Sequence, residues 1–261
     1  MHKFSLNLSM FFKDKDLFNS FRLARELGFS SVEFWFPFEY KVEKIRKNLN
    51  KYDLDLIMIN TPSGNVEEGD WGILNDPRRK EAFREGFRDA LNYASELNCR
   101  CINVLAGTDK PGISESRQKE TAIENLKEIA PLSREEGLLL VIEALNLYDF
   151  PQYLVNTSSE VFEMIEEAGE PNVLMSYDFY HMQTMEGNLI RTFSENIDNI
   201  GHCQFADVPG RNEPGTGEIN FKNVLKKLEE LDYEGYIGLE YEPSSDDYGS
   251  CLSWMEGMGF P

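Results

Sequence analysis

The feature that most constrains this chain is a rhythm. Short apolar runs alternate with longer amphipathic segments from one end to the other. The runs fall at 4–9 (FSLNLS), 31–36 (SVEFWF), 55–60 (DLIMIN), 101–106 (CINVLA), 138–145 (LLLVIEAL), 173–178 (VLMSYD), 200–206 (IGHCQFA) and 236–241 (YIGLEY). Several are almost continuously apolar rather than alternating, the mark of parallel strands buried on both faces. The segments 16–27, 77–97, 115–136, 158–169 and 220–231 repeat their apolar residues at helical spacing. Gly28 and Gly169 stand just past two helix ends, where a left-handed cap favours glycine, and Ser158 or Ser159 is placed to cap the helix that follows the fifth run. Strand–helix alternation on this scale predicts βαβ units and a parallel sheet. Eight units in 261 residues predict a single (β/α)8 TIM barrel occupying 1–261 as one domain. The rival, an open doubly wound sheet, usually carries a glycine-rich phosphate turn after its first strand, and the residues after 9 hold none.

A barrel of this kind places its chemistry at the C-terminal ends of the strands. The last four runs carry Glu143, Asp178, Gln204 and Glu240 there, each about one βα unit from the next. Any one of them, taken alone, reads better as a loop or cap partner than as a ligand. Four at equivalent depth in successive units reverse that preference. Three carboxylates gathered at a buried rim are costly unless a cation neutralises them. Oxygen donors suit a hard divalent ion, Mg²⁺ or Mn²⁺.

A net charge of −20 opposes binding to nucleic acid or to an anionic membrane surface. No run is long and apolar enough to span a bilayer, and the N-terminus reads as a first strand rather than a signal peptide. Cys99, Cys101, Cys203 and Cys251 show neither a disulfide framework nor a zinc-ribbon spacing. Free, buried thiols in a reducing cytoplasm are the expectation.

The motifs IEALN, YDFYHMQ, MEGNL, PGRNEPGTGEINF and IGLEYEP, preceded by NLSMFF, VEFWFP, NTPSG and WGILNDP, resemble the hydroxypyruvate isomerase family within the xylose-isomerase-like barrels. The resemblance runs over nearly the whole chain. It implies metal ligation by Glu143, Asp178, Gln204 and Glu240, with Glu143 and Glu240 also serving as the proton-transfer pair. It implies substrate contact by His181 and Arg211. The expected activity is aldose–ketose isomerisation through a cis-enediolate. The expected substrate is hydroxypyruvate, interconverted with tartronate semialdehyde, or 2-oxotetronate. The family pattern carries a histidine where Asn212 stands, and often a basic residue where Glu242 stands. Both changes remove positive charge and put the acidic substrate in question.

Three rivals remain. A ketose 3-epimerase would use the same residues on an uncharged sugar. A non-catalytic sugar-binding barrel would keep the fold without turnover. The abasic-site DNA endonucleases of related barrels need a histidine-rich zinc cluster, which three histidines and an acidic surface oppose. Among other residues, His202 faces the barrel interior below Gln204, and Glu33 and Asn60 are expected near the ligand set. Glu218 in the GTGE turn is placed to brace Arg211. Trp71 and the group Phe34, Trp35, Phe36 and Phe38 either wall a pocket or fill core. Small-molecule substrate and homo-oligomer are the partner expectations.

Overall fold

The computed structural model describes residues 2–256. Met1 and residues 257–261, the ends of the expected 1–261 domain, lie outside the described residues. Strands β1 (Lys3–Asn7), β2 (Ser31–Glu33), β3 (Asp55–Leu56), β4 (Met58–Asn60), β5 (Cys101–Asn103), β6 (Leu139–Glu143), β7 (Val173–Asp178), β8 (Ile200–Phe205) and β9 (Tyr236–Leu239) form one sheet in the order β3-β2-β1-β9-β8-β7-β6-β5-β4. Every pairing within it is parallel.

The third expected strand, 55–60, is split at Ile57, and the split is where the barrel closes. The Ile57 N–H donates to Val32 O on β2 at 2.8 Å, while its carbonyl accepts from Arg100 N and Cys101 N on the β5 side. Phe34 N reaches Met58 O and Asn60 N reaches Trp35 O, completing the seam between β2 and β4. The (β/α)8 barrel expected from the sequence is the observed architecture, with eight staves and nine strand segments.

Helices α1 (Leu8–Phe11), α2 (Leu17–Glu26), α3 (Val42–Tyr52), α4 (Lys80–Glu96), α5 (Glu115–Glu135), α6 (Ser158–Ala168), α7 (Phe179–Met185), α8 (Leu189–Glu195) and α9 (Phe221–Glu230) connect the staves. The apolar face of α4 buries Phe83, Phe87, Ala90 and Ala94, one per turn. Each such phenylalanine contributes about 1.5–3 kcal/mol by leaving water. The cap of α6 is Thr157 rather than Ser158 or Ser159: its hydroxyl accepts Glu160 N while Glu160 bonds back to Thr157 N, a complete capping box. Ser158 instead binds Glu186 through both its N–H and its hydroxyl. Helix α3 has no counterpart among the expected helices, because half of KVEKIRKNLNKY is charged and it buries only Ile45 and Leu49. All four cysteines are free and buried, as expected. Among the described residues no helix is long and apolar enough to cross a membrane.

Candidate active site

Side chains at alternate strand positions point into the barrel, and at the C-terminal rim they are polar on every stave. Asn7, Glu33, Asn60, Asn103, Glu143, Asp178, Gln204 and Glu240 occupy it, all buried. The first four strand ends thus carry Asn7, Glu33, Asn60 and Asn103 beside the four ligand candidates of the last four, and Asn7 and Asn103 are additions to the residues expected from sequence.

Each carboxylate uses one oxygen for structure and turns the other toward a common centre. Asp178 is the last residue of β7 and also the N-cap of α7; its Oδ1 accepts Tyr180 N at 2.8 Å. Glu143 Oε2 accepts from Asn103 Nδ2 at 2.9 Å, and its Oε1 is buried without a hydrogen-bond partner among the described residues. Glu240 Oε1 accepts from Asn7 Nδ2 at 2.7 Å and from Trp35 Nε1 at 2.8 Å. Glu240 Oε2 and Asp178 Oδ2 both face Arg211 Nη2, at 2.5 and 3.3 Å. The expected residues Glu143, Asp178, His181, Arg211 and Glu240 therefore meet at one place.

Burial sets the electrostatics. It pushes the Glu143 carboxyl well above the usual range, and the charges of Glu240 and Asp178 add to the shift. Burial likewise pushes Asp178 up to about 7 and raises Glu240, with Arg211 opposing both shifts. Three buried acids that all resist ionisation, one with an unpartnered oxygen, form a donor set suited to a hard cation.

His181 is fully buried, and its Nδ1 accepts from Asn146 N at 3.0 Å and lies 2.8 Å from Asn146 Nδ2. The orientation of that amide is fixed, because Asn146 Oδ1 accepts Tyr148 N and Asp149 N. Burial, followed by the Arg211 charge, holds the imidazole well below its ordinary pKa. The neutral ring must then carry its proton on Nε2, which lies 3.6 Å from Asp178 Oδ2 and 3.8 Å from Glu143 Oε1. Glu143, Asp178 and His181 present ligand atoms within 4.8 Å of one another and could hold a metal ion. The tautomer, however, makes His181 a hydrogen-bond donor rather than a ligand.

Gln204 lies deeper. Its Nε2 donates to Glu33 Oε1 at 3.1 Å and its Oε1 accepts from Ser176 Oγ at 3.2 Å. His202 is one layer below, 3.1 Å from Glu33 Oε2. Burial alone would raise Glu33, but His202 and the donors Ser5 and Asn7 outweigh it and hold the carboxyl below its usual value.

The loop after β8 is organised by Asp207, which the sequence reading did not single out. Its carboxylate accepts the N–H groups of Gly215, Gly217 and Ile219. A side chain at Gly217 would collide with Val208 O, so that turn needs glycine. Glu218 does not brace Arg211: it is exposed and accepts from Gln183. Arg211 is braced by Asp178 and Glu240 and lies over the Tyr180 ring, 5.1 Å from its centroid. Asn212 Nδ2 donates to the Glu242 carbonyl, and the Glu242 carboxylate pairs with Lys13 at 2.6 Å.

Of the aromatic residues, Trp35 reaches Glu240 directly. Trp71 packs edge-on against Phe150, which packs against His181. Its loop is pinned by Asp70, which binds Arg79 and Lys110. Phe34 is core against Phe21, and Phe38 packs on Tyr93.

The family described as Xylose isomerase-like TIM barrel matches residues 21–258. Hydroxypyruvate isomerase of Escherichia coli is 39% identical over 256 residues, covering 98% of this chain and 99% of its own. The 2-oxo-tetronate isomerase of Pectobacterium atrosepticum is 36% identical, with 98% and 99% covered. A solved structure described as an AP endonuclease, family 2, from Brucella melitensis superposes with a TM-score of 0.94 at 33% identity, covering 98% of each chain. This chain therefore belongs to the xylose isomerase-like TIM-barrel family, in its hydroxypyruvate isomerase group, and is an isomerase.

Proposed function

We propose that the chain isomerises a small 2-oxo hydroxy acid, hydroxypyruvate to tartronate semialdehyde or the corresponding step on 2-oxotetronate. In this reading Glu143, Asp178, Gln204 and Glu240 hold one Mg²⁺ or Mn²⁺. The observation that carries it is the convergence of Glu143 and Glu240, each anchored through one oxygen and presenting the other. The ion, when bound, polarises the substrate carbonyl and hydroxyl and acidifies the proton on the adjacent carbon.

One glutamate takes the C3 proton and the other returns a proton to C2, while a proton passes from O3 to O2; no outside oxidant is needed. The intermediate is a cis-enediolate. His181 Nε2–H donates to its developing oxyanion, and Arg211 forks onto an oxyanion or the substrate carboxylate. We take 1–261 as one catalytic domain working in the cytoplasm, with self-association expected by analogy with related barrels.

A ketose 3-epimerase on an uncharged sugar is the second reading. Lys13, the first cation after β1, is tied to Glu242, and Arg211 is the cation that touches the acid cluster. A nuclease reading has little support, because the metal-suited group among the described residues contains a single histidine.

The test is proton–deuterium exchange followed by NMR in D₂O, with Mn²⁺ or Mg²⁺ and then with EDTA. Metal-dependent loss of the hydroxypyruvate C3 signal with product formation is expected. Exchange only with a ketose such as tagatose would move the assignment to the epimerase.

A further inference from the structure

Glu33 is a fully buried carboxylate that no step above uses. It accepts four side-chain hydrogen bonds: Ser5 Oγ at 2.6 Å and His202 Nε2 at 3.1 Å on Oε2, Asn7 Nδ2 at 3.2 Å and Gln204 Nε2 at 3.1 Å on Oε1. Space is kept for it by Gly238, where a Cβ would lie 2.6 Å from Glu33 Oε1 and 2.9 Å from Gln204 Cγ.

A carboxylate accepts and never donates, so it selects the NH₂ end of any amide that touches it. Asn7 needs no such selection: its Oδ1 already accepts Met10 N, so Nδ2 must face Glu33 and Glu240. Among the described residues Gln204 has no backbone contact of that kind, and its Oε1 accepts from Ser176 Oγ, a hydroxyl that could as well accept as donate. Among them Glu33 is the partner that distinguishes the two ends of the Gln204 amide.

We propose that Glu33 is a positioning residue that locks the Gln204 amide with its oxygen, rather than its nitrogen, available to the divalent ion. This rests on the reading of Gln204 as a ligand. Amide nitrogen is no donor for a hard cation, so a flipped amide would remove one ligand without removing the residue. The substitution Glu33→Gln keeps the shape of the side chain but offers an NH₂ of its own, and the selection is lost.

The experiment is a Mn²⁺ titration by calorimetry on wild type, Glu33→Gln, Gln204→Leu and the double variant. Glu33→Gln is expected to weaken Mn²⁺ binding at least tenfold, the usual scale for a partner of a metal ligand. The double variant is expected to bind no more weakly than Gln204→Leu alone, because no amide is left to orient. Wild-type affinity in Glu33→Gln beside a weakened Gln204→Leu overturns the proposal, and so do effects that multiply in the double variant. Unchanged affinity in Gln204→Leu would instead sink the ligand reading itself.

If Glu33→Gln does not fold, the wild-type protein answers. The Gln204 side-chain amide NMR signal, assigned by its loss in Gln204→Leu, should resist exchange in D₂O. Exchange within the dead time of mixing overturns the assignment.

Discussion

One terminal nitrogen of Arg211 donates to Oε2 of Glu240 at 2.5 Å, and the same nitrogen reaches Oδ2 of Asp178 at 3.3 Å. These are the carboxylate oxygens left free by Trp35, Asn7 and the α7 cap. The guanidinium thus draws on the same lone pairs that a divalent ion would draw on. Replacing Arg211 with methionine keeps much of its stem but removes the charge. The expected result is a fall in kcat/KM of roughly 10- to 150-fold, the worth of a charge-assisted bond of about 1.5–3 kcal/mol. Mn²⁺ affinity should be unchanged or tighter. Weaker Mn²⁺ binding in this variant would mean that Arg211 supports the ion rather than competing with it.

The two glutamates should be separable from the fold. Glu143→Gln and Glu240→Gln keep volume and remove the base. Each is expected to slow substrate deuterium exchange by roughly 10²–10⁴-fold, the usual contribution of a placed acid–base group. Circular dichroism should be unchanged. Full exchange in a Glu240→Gln protein that still binds metal would end its assignment to the pair.

Stability without metal should depend on pH in a particular direction. Asp178 is pushed up to about 7 in the fold, against about 3.9 in an unfolded chain. Between those values the folded chain holds a proton that the unfolded chain releases. The stability contributed by Asp178 is then fully present below about pH 4 and is lost as pH rises through about 7. Glu143 and Glu240, raised in the same sense, add to the trend. In EDTA the Tm should fall across this window relative to the protein with Mg²⁺ or Mn²⁺, by about 2–4 °C for each kcal/mol. Parallel curves with and without metal would show that the ion does not engage these carboxylates.

His181 enters as a neutral donor whose Nδ1 is already committed to Asn146. His181→Asn should therefore lower kcat while leaving the acid limb of the pH–rate profile in place. A limb that moves or vanishes in this variant would mean that the imidazole titrates in the working range.

The resemblance at PGRNEPGTGEINF points to Arg211, and the GTGE turn that follows suggests Glu218 as its brace, which the structure overturns. Glu218, seven residues away, turns outward to Gln183, while the true partners come from strands 29 and 33 residues distant. Local spacing favoured the near residue; the pairing of β7 and β9 on either side of β8 brought the far ones. The cap of α6 shows the same limit at shorter range. Thr157, Ser158 and Ser159 are all suitable N-caps by type. Thr157 takes the role because Glu160 can reach back to it, and Ser158 is drawn off by Glu186 from another βα unit.

Alternation of buried runs with amphipathic segments determined the barrel from sequence alone, because parallel strands covered by helices on one side and their own lumen on the other leave no polar face to hide. The same periodicity placed Glu143, Asp178, Gln204 and Glu240 at strand ends. Their states were decided only in three dimensions. Which oxygens Glu143 and Glu240 spend on structure and which way the Gln204 amide faces depend on Asn7, Glu33, Trp35 and Asn103, while burial, only partly opposed by Arg211, pushes Asp178 up to about 7. Those residues are far from their partners in sequence, and the parallel pairing of β1 with β9 and of β5 with β6 sets Asn7 beside Glu240 and Asn103 beside Glu143, while Glu33 reaches Gln204 from β2.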